Sequence, residues 1–253
     1  MKGKTSSHMD GFANPAPETL QTARPFVGRA VVLTLDPLAA ESSTLVEDLV
    51  FMRRLGVRPI IVHDVTQRAL GARLVGHLNR IGGDAVALDG TSASTLVLST
   101  GSDGRSVVRS VNAQLVSLLL EQGYILVFGS EGTSFAGTSA ALDATDAARV
   151  LAASVHAVRL LFPSERGGIP ASSDGIIDEL TSSEALALAR EGSLPDEAAH
   201  SLTAAAMGVR GGVDAAQLLD LRSTHATLVE MLTTRHLGTQ VRSQVIVETG
   251  PAS

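Results

Sequence analysis

Cysteine and tryptophan are absent from this sequence of 253 residues, and lysine occurs only at positions 2 and 4. Without cysteine, the chain can form no disulfide, no thiolate nucleophile and no cysteine-ligated metal site. The longest apolar runs are far shorter than the roughly 18 residues that a membrane-spanning helix needs. With no secretory signal in the sequence either, we expect a cytoplasmic protein.

The first nine residues are interpreted as an expression-vector remnant, because residues 1–9 contain no apolar signal core and end in Ser-His-Met. Both lysines lie in this segment, so the rest of the chain sets 18 arginines against 26 acidic residues, a formal charge of about −8. A chain of this charge repels nucleic acid and anionic membranes on average, and it has no basic run that could act locally. We therefore expect neither as a partner.

Residues 10–28 are rich in proline, alanine and threonine and predict a flexible N-terminal lead-in with one short helix near residues 18–23. Residues 29–248 alternate short β-branched runs with segments of helical period, which predicts a single α/β domain. Its expected fold is a three-layer αβα sandwich with a mostly parallel central sheet. Strands are predicted at residues 29–35, 59–62, 85–88, 124–128, 158–162 and 217–221, with an antiparallel hairpin inserted at residues 96–108.

Three further segments carry specific predictions. Residues 129–138, which are mostly glycine, serine and threonine, predict a surface loop. Residues 240–248 predict a closing hairpin or an edge strand. Thr181 and Glu184 have the spacing of a capping box at the start of a helix.

The buried run at residues 59–62 ends in the tetrapeptide 63–66, His-Asp-Val-Thr. In open α/β sheets, ligands bind beyond the carboxyl ends of the strands. A phosphate-binding loop at such a place is normally glycine-rich, so that backbone N–H groups can approach the phosphate. This tetrapeptide has no glycine and carries a carboxylate, so a strand placed to serve a phosphate site ends in a residue that repels phosphate.

Several segments resemble the amino acid kinase family, and acetylglutamate kinase in particular. They are residues 55–63, 83–90, 111–115, 123–128 and 224–233. The resemblance covers about residues 27–241 and implies the three-layer fold. It also implies transfer of the γ-phosphoryl group of ATP to the side-chain carboxylate of acetylglutamate. In the family, the helix that corresponds to residues 115–119 packs across a homodimer interface, so the resemblance implies a homodimer.

The same resemblance implies that the catalytic positions have changed. The family's first lysine falls on Leu33, its second lysine falls near Ser201, and the aspartate that organises them falls on Thr145. The glycines that follow the first two strands fall on Leu35, Asp36, Asp64, Val65 and Thr66. Because phosphoryl transfer depends on fixed cations and N–H donors, these changes predict the loss of useful turnover.

We assign no catalytic residue and no metal ligand from the sequence. The candidates for a relic ligand pocket are His63, Asp64, Thr66, Asp89, Gly90, Ser130, Asp143 and Thr145. For His63 and Asp64 the alternative is a purely structural role at the end of a strand. Asp143 and Asp146 lie close to Thr145 but are predicted to point in other directions from the helix, so neither takes the place of the family's aspartate. The seven histidines show no i, i+4 pairing and no nearby carboxylate cluster of ligand spacing, so metal binding is not expected.

The sequence favours a catalytically inactive acetylglutamate kinase-like protein, that is, a homodimeric pseudokinase. Such a module would use no cofactor and would bind a partner protein or a small metabolite in a regulatory role. One alternative is a divergent carboxylate kinase that uses ATP and magnesium, with Arg58, Arg109 or Arg166 in place of the lysines. Another is an amino-acid sensor, since some members of the family bind arginine outside the active site.

Overall fold

A computed structural model of the chain describes residues 17–35, 43–101, 104–164, 166–171, 175–220, 223–233 and 237–243. The predicted expression remnant at residues 1–9 lies outside these ranges, as do residues 10–16 of the predicted lead-in. Asp36 and residues 244–248 also lie outside them.

The helices are α1 (Pro17–Ala23), α2 (Ser43–Arg54), α3 (Arg68–Arg80), α4 (Gln114–Glu121), α5 (Ala144–Ser154), α6 (Ser182–Arg190), α7 (Asp196–Arg210) and α8 (Ala226–Leu232). The strands are β1 (Ala30–Thr34), β2 (Arg58–His63), β3 (Ala85–Gly90), β4 (Leu96–Thr100), β5 (Ser106–Val111), β6 (Ile125–Ser134), β7 (Ser139–Ala141), β8 (Arg159–Pro163), β9 (Glu179–Thr181), β10 (Ala215–Leu219) and β11 (Gly238–Arg242). None of these helices combines the length and the apolar character needed to cross a bilayer.

The described strands form one 11-stranded sheet in the order β5-β4-β6-β2-β1-β8-β10-β11-β9, with β3 and β7 also paired to β6. Its centre is parallel, since β1 pairs in parallel with β2 and β8, β8 with β10, and β6 with both β2 and β3. Antiparallel pairing occurs between β4 and β5, β6 and β7, and β10 and β11. The predicted mostly parallel sheet and the inserted hairpin are confirmed.

The apolar core is divided into two layers by the sheet. Helices α4, α5, α6 and α7 cover one face, and they contribute residues such as Val116, Leu151 and Leu202 to its core. Helices α1, α2, α3 and α8 cover the other face, where Leu49 and Leu78 pack on the sheet. Because both faces of the sheet are buried, its central strands are apolar at successive positions, as the sequence indicated.

The prediction of a surface loop at residues 129–138 was wrong for most of the segment. Strand β6 continues to Ser134, pairing with β7 at Glu131 to Thr133 and with β4 at Thr133 and Ser134. Partner strands on both sides supply hydrogen bonds to this backbone, and such pairing overrides the low strand propensity of glycine and serine. Only residues 135–138 form the turn to β7.

The closing strand lies elsewhere than predicted. Strand β11 begins at Gly238 and lies between β10 and β9, antiparallel to β10, so it is neither an edge strand nor one arm of a hairpin. Helix α8 separates β10 from β11 in the chain. Pairing between strands that are distant in sequence leaves no local pattern from which it could have been predicted.

The described end of the lead-in packs against the domain, so the prediction of flexibility was wrong for it. Helix α1 forms where the short helix was predicted, and Ala23 and Phe26 are buried in the core on the α2 side of the sheet. The guanidinium carbon of Arg159 lies 5.2 Å from the centre of the Phe26 ring. Burial of these apolar side chains compensates for the entropy lost in ordering the segment.

A buried carboxylate joins two helices on the same face of the sheet. The side chain of Asp48 in α2 is 2% exposed, and its Oδ1 lies 2.6 Å from Nδ1 of His225, which precedes α8. Desolvation raises the pKa of Asp48 from 3.8 to about 6, although the hydrogen bond and the charge of His225 lower it. A carboxyl whose pKa is raised by folding stabilises the native state when it is protonated, and this contribution is lost as the pH rises from about 4 to above 6.

We therefore expect the substitution Asp48→Asn to change the pH dependence of stability. Relative to this variant, the free energy of unfolding of the wild type should fall by up to about 3 kcal/mol between pH 4 and pH 7. Urea denaturation across this pH range measures the difference. Asp196→Asn, at an exposed position in α7, is the control and should follow the wild-type profile. Parallel curves for the wild type and Asp48→Asn would contradict the assignment.

Candidate functional site

The carboxyl end of β2 runs directly into a short 3-10 helix, Val65–Gln67, which leads into α3. The N–H groups at the start of this helix are satisfied by the protein itself. The Asp64 carboxylate accepts a hydrogen bond from the Thr66 N–H at 2.8 Å, and the Ser130 hydroxyl accepts one from the Val65 N–H at 3.2 Å. A free helix start at this edge of the sheet would attract an anion, but here a carboxylate and a hydroxyl already occupy its donors.

Ser130 connects this helix start to a second one. Its side chain is fully buried, and its backbone carbonyl accepts a hydrogen bond of 2.8 Å from the N–H of Leu142. The next residue, Asp143, caps helix α5 by accepting hydrogen bonds from the N–H groups of Thr145 at 2.9 Å and Asp146 at 3.1 Å. Both helix starts are therefore closed by an aspartate of the chain.

His63 is the last residue of β2 and is only 6% exposed. Its Nδ1 lies 2.8 Å from the carbonyl oxygen of Asp64. Because a carbonyl can only accept, Nδ1 carries the proton in this contact and Nε2 of the neutral ring is an acceptor. The ring packs against Gly71 so closely that a Cβ at this glycine would lie 2.4 Å from Nε2. No described residue forms a hydrogen bond with Nε2.

Asp89 stands at the end of β3, where the strand register shifts against β6. Its Oδ1 accepts hydrogen bonds from the N–H and hydroxyl groups of Thr91 and Ser92. Partial burial opposes ionisation, but these hydrogen bonds outweigh it and lower the pKa of Asp89. Its other oxygen, Oδ2, accepts no hydrogen bond from a described residue and lies 3.9 Å from a guanidinium nitrogen of Arg68.

Arg68, the first residue of α3, places its guanidinium group beside Asp89. It is held mainly by Glu131 of β6, with which it forms a hydrogen bond of 2.5 Å. The Arg68 side chain is 65% exposed, whereas that of Glu131 is 16% exposed. The charge of Arg68 is thus paired with Glu131 and, at longer range, with Asp89, which leaves two carboxylates for one guanidinium.

A cavity of about 130 Å³ opens between α3 and the ends of β3 and β6. Among the residues that line it are His63, Arg68, Gly71, Asp89 and Gly129. Its remaining walls are mostly apolar, formed by valine, leucine and alanine side chains. The cavity is partly open to solvent, and its apolar walls surround a few polar groups.

Asp143, the cap of α5, also contacts a histidine from helix α7. His200 of α7 donates a hydrogen bond from Nε2 to Asp143 Oδ1 at 2.9 Å. This hydrogen bond is the largest cause that lowers the pKa of Asp143 to about 2, and it also raises the pKa of His200. Arg149 lies 3.2 Å from Asp146 and neutralises it.

Ligand atoms of Asp143, Asp146 and His200 lie within 4.8 Å of one another. Asp143 is the N-cap of α5 and Asp146 lies in its first turn, and both carboxylates come close to His200, so the expectation that no carboxylate cluster lies near a histidine was wrong. The positive end of α5 and the charge of Arg149 both oppose a cation here. We therefore assign no metal to this cluster, and the absence of a metal stays a prediction.

The eight predicted pocket residues fall into four groups. His63 and Asp89 line the cavity, whereas Asp64, Thr66 and Ser130 close the adjoining helix start. Asp143 and Thr145 belong to the start of α5. Gly90 has a packing role, since a Cβ there would lie 2.0 Å from the Glu131 carbonyl oxygen.

Sequence reasoning missed Arg68, His200 and the role of Glu131. His200 is 57 residues from Asp143, and Arg68 is 63 residues from Glu131, so no spacing pattern could have joined them. Leu33 and Ser201, on or near which the resemblance placed the lysines, are fully buried and nearly buried respectively.

The three arginines of the alternative kinase hypothesis lie in different parts of the fold, and two of them lie away from the carboxyl ends of the central strands. Arg58 is the first residue of β2 and so lies at the opposite edge of the sheet from the cavity. Arg109 of β5 stacks over the ring of Phe135 at 4.9 Å. Arg166 follows β8 and is the one of the three that comes after the carboxyl end of a central strand.

No protein-family model matches the chain. Acetylglutamate kinases match it over nearly their whole length. That of a Synechococcus species is 27% identical, with 88% of this chain and 90% of that protein covered. That of Stutzerimonas stutzeri is 24% identical, with 91% and 95% covered.

Solved structures agree on the fold. The N-acetylglutamate synthase of Neisseria gonorrhoeae in complex with coenzyme A and N-acetyl-glutamate gives a TM-score of 0.77 at 21% identity, and this chain spans 65% of its length. Carbamate kinase of Giardia lamblia bound to AMP-PNP gives 0.65 at 11% identity over 86% of this chain and 99% of that one. The chain therefore has the fold of these two structures, and acetylglutamate kinases are among its sequence relatives.

Proposed function

We propose that the chain is a non-catalytic member of this group, a cytoplasmic module that binds a small ligand or a partner and transfers no phosphoryl group. The observation that carries the proposal is the closed helix start after β2. There, the Asp64 carboxylate and the Ser130 hydroxyl take up the N–H donors at the end of a central strand. A phosphate at this point would meet a carboxylate and would find the nearest donors already occupied.

The surrounding charge supports the same proposal. No lysine occurs after residue 4, and Leu33, at the first lysine position, is packed in the core. Arg68 is engaged by Glu131 and Asp89. In phosphoryl transfer the protein must stabilise negative charge that spreads over the transferred group, and a site with a surplus of carboxylates works against this.

We expect no binding of ATP or ADP at micromolar concentrations, with or without magnesium. Isothermal titration calorimetry of the full chain measures this directly. An acetylglutamate kinase titrated under the same conditions serves as the positive control. Micromolar affinity for either nucleotide would overturn the proposal.

The alternative of a kinase that uses arginine now depends on Arg166, because Arg58 and Arg109 lie elsewhere. In a coupled assay for ADP release, we expect no turnover of acetylglutamate or carbamate by the wild type or by Arg166→Ala. The physical reason is that one exposed guanidinium does not replace two fixed ammonium groups. Arg58→Ala is the matched control. Turnover that disappears in Arg166→Ala and persists in Arg58→Ala would establish the kinase instead.

A homodimer is proposed on a separate observation. Leu118 of α4 is 53% exposed, whereas Val116 and Leu120 of the same helix are buried against the sheet. Light scattering of the full chain should give the mass of a dimer, and Leu118→Glu should give the mass of a monomer, because it places a charge in the interface. Ser117→Glu, one residue away, tests whether any new charge on α4 has this effect. A wild-type monomer would refute the proposed dimer.

Amino-acid sensing is a further possibility for the regulatory role. Its support is indirect, since the N-acetylglutamate synthase of similar fold has also been solved in complex with coenzyme A and L-arginine. A ligand that binds only the native state raises apparent stability, so L-arginine should raise the melting temperature if this chain senses it.

A further inference from the structure

The cavity beside β2 differs from an anion site in the kind of polar group that it presents. His63 contributes Nε2, an acceptor in the neutral ring because Nδ1 donates to the Asp64 carbonyl. Asp89 contributes Oδ2, since its Oδ1 is taken up by Thr91 and Ser92. Neither of these two acceptors receives a hydrogen bond from a described residue. A ligand that satisfies both must bring N–H or O–H donors.

The charge balance narrows the class of ligand. Asp89 is ionised at neutral pH, because its hydrogen bonds lower its pKa. Arg68 is 3.9 Å from Asp89 Oδ2, beyond hydrogen-bond distance, and is held closer by Glu131. With two carboxylates for one guanidinium, a cationic donor is favoured over a neutral one, and a carboxylate ligand is disfavoured.

His63 and Asp89 line the same cavity, and both lie next to Gly129. A Cβ placed on Gly129 would lie 3.4 Å from Cε1 of His63 and 3.5 Å from Cβ of Asp89. The bare backbone of Gly129 therefore forms the floor between the two acceptors. Gly71 packs closely against the imidazole, so any side chain there would collide with the ring.

The size of the cavity limits the rest of the ligand. A cavity of about 150 Å³ is large enough for benzene, and this one measures about 130 Å³. It therefore takes about five or six heavy atoms. Its apolar walls suit a short hydrocarbon chain next to the polar end.

We propose that this cavity binds a small primary amine, with the ammonium group between His63 Nε2 and Asp89 Oδ2 and a short apolar chain against α3. The inference rests on the proposed non-catalytic, ligand-binding function and names the ligand class of that site. Arg68 closes the outer side of the cavity without occupying the acceptors.

The test uses n-propylammonium chloride as a probe of the full chain. Nuclear magnetic resonance follows the Gly129 amide and the His63 Nε2 signal, at an ionic strength kept constant with sodium chloride. We expect saturable shifts with a dissociation constant in the millimolar range, as is reasonable for a ligand of this size. Tetramethylammonium, which has the charge without N–H donors, and sodium propionate should give no saturation.

Two variants locate the binding. Gly129→Ala adds a methyl group at ordinary contact distance, 3.7 Å from His63 Nε2 and 3.5 Å from Cβ of Asp89, so it should fold and should abolish saturation. Asp89→Asn keeps an Oδ1 acceptor for Thr91 and Ser92 but removes the charge, and should weaken binding by about tenfold or more. Gly76→Ala, on the same helix α3 with no atom within 4 Å of the new methyl, is the matched control and should bind like the wild type.

Several results would overturn the inference. These are saturation by propionate or tetramethylammonium, no saturation by propylammonium, or propylammonium binding that persists in Gly129→Ala. Failure of the amine while nucleotides also fail to bind refutes this inference alone. Micromolar nucleotide binding refutes the proposed function whatever the amine does.

Discussion

The hydrogen bond from the Thr66 N–H to the Asp64 carboxylate determines which groups remain free to bind a ligand at the end of β2. A helix start at the carboxyl end of a central strand has a partial positive charge and unpaired N–H groups, and it attracts an anion. Here the anion is a side chain of the protein, with Ser130 serving the neighbouring N–H. Ser130 also joins β6 to the start of α5 through its carbonyl, so one buried residue fixes both helix starts. The caps stabilise the fold and close the place where a phosphate would otherwise bind.

From this closure follows the polarity of the neighbouring cavity. Once the helix donors are satisfied, the groups left unpaired are acceptors, namely an imidazole nitrogen and a carboxylate oxygen. Arg68 could have restored a positive charge, but Glu131 holds it at the surface. The result is a pocket that presents hydrogen-bond acceptors, where a phosphate site would present donors. It lies on a scaffold whose fold is similar to those of the N-acetylglutamate synthase and carbamate kinase structures.

Local signals in the sequence predicted the elements well and the long-range pairings poorly. The capping box of Thr181 and Glu184 forms as its spacing indicated, since it depends on four consecutive residues. The prediction ended strand β6 too early and placed β11 wrongly, because the strands that pair with them lie far away in the sequence. The same limit holds at the site. Asp64 and His63 were found from the end of a strand, whereas the Asp143 contact with His200 requires the packing of α5 against α7.

The change from an anion site involves more than missing cations. Lysine at position 33 would place its charge in the core, because Leu33 lies on β1 among apolar side chains with no exposure. Even a lysine that reached the cleft would face the Asp64 carboxylate, which would pair with it before any phosphate did. Removing Asp64 in turn would expose N–H groups that Ser130 satisfies only in part. On the proposed function, backbone, cap and charge would all have to change together before a phosphate could be held at this place.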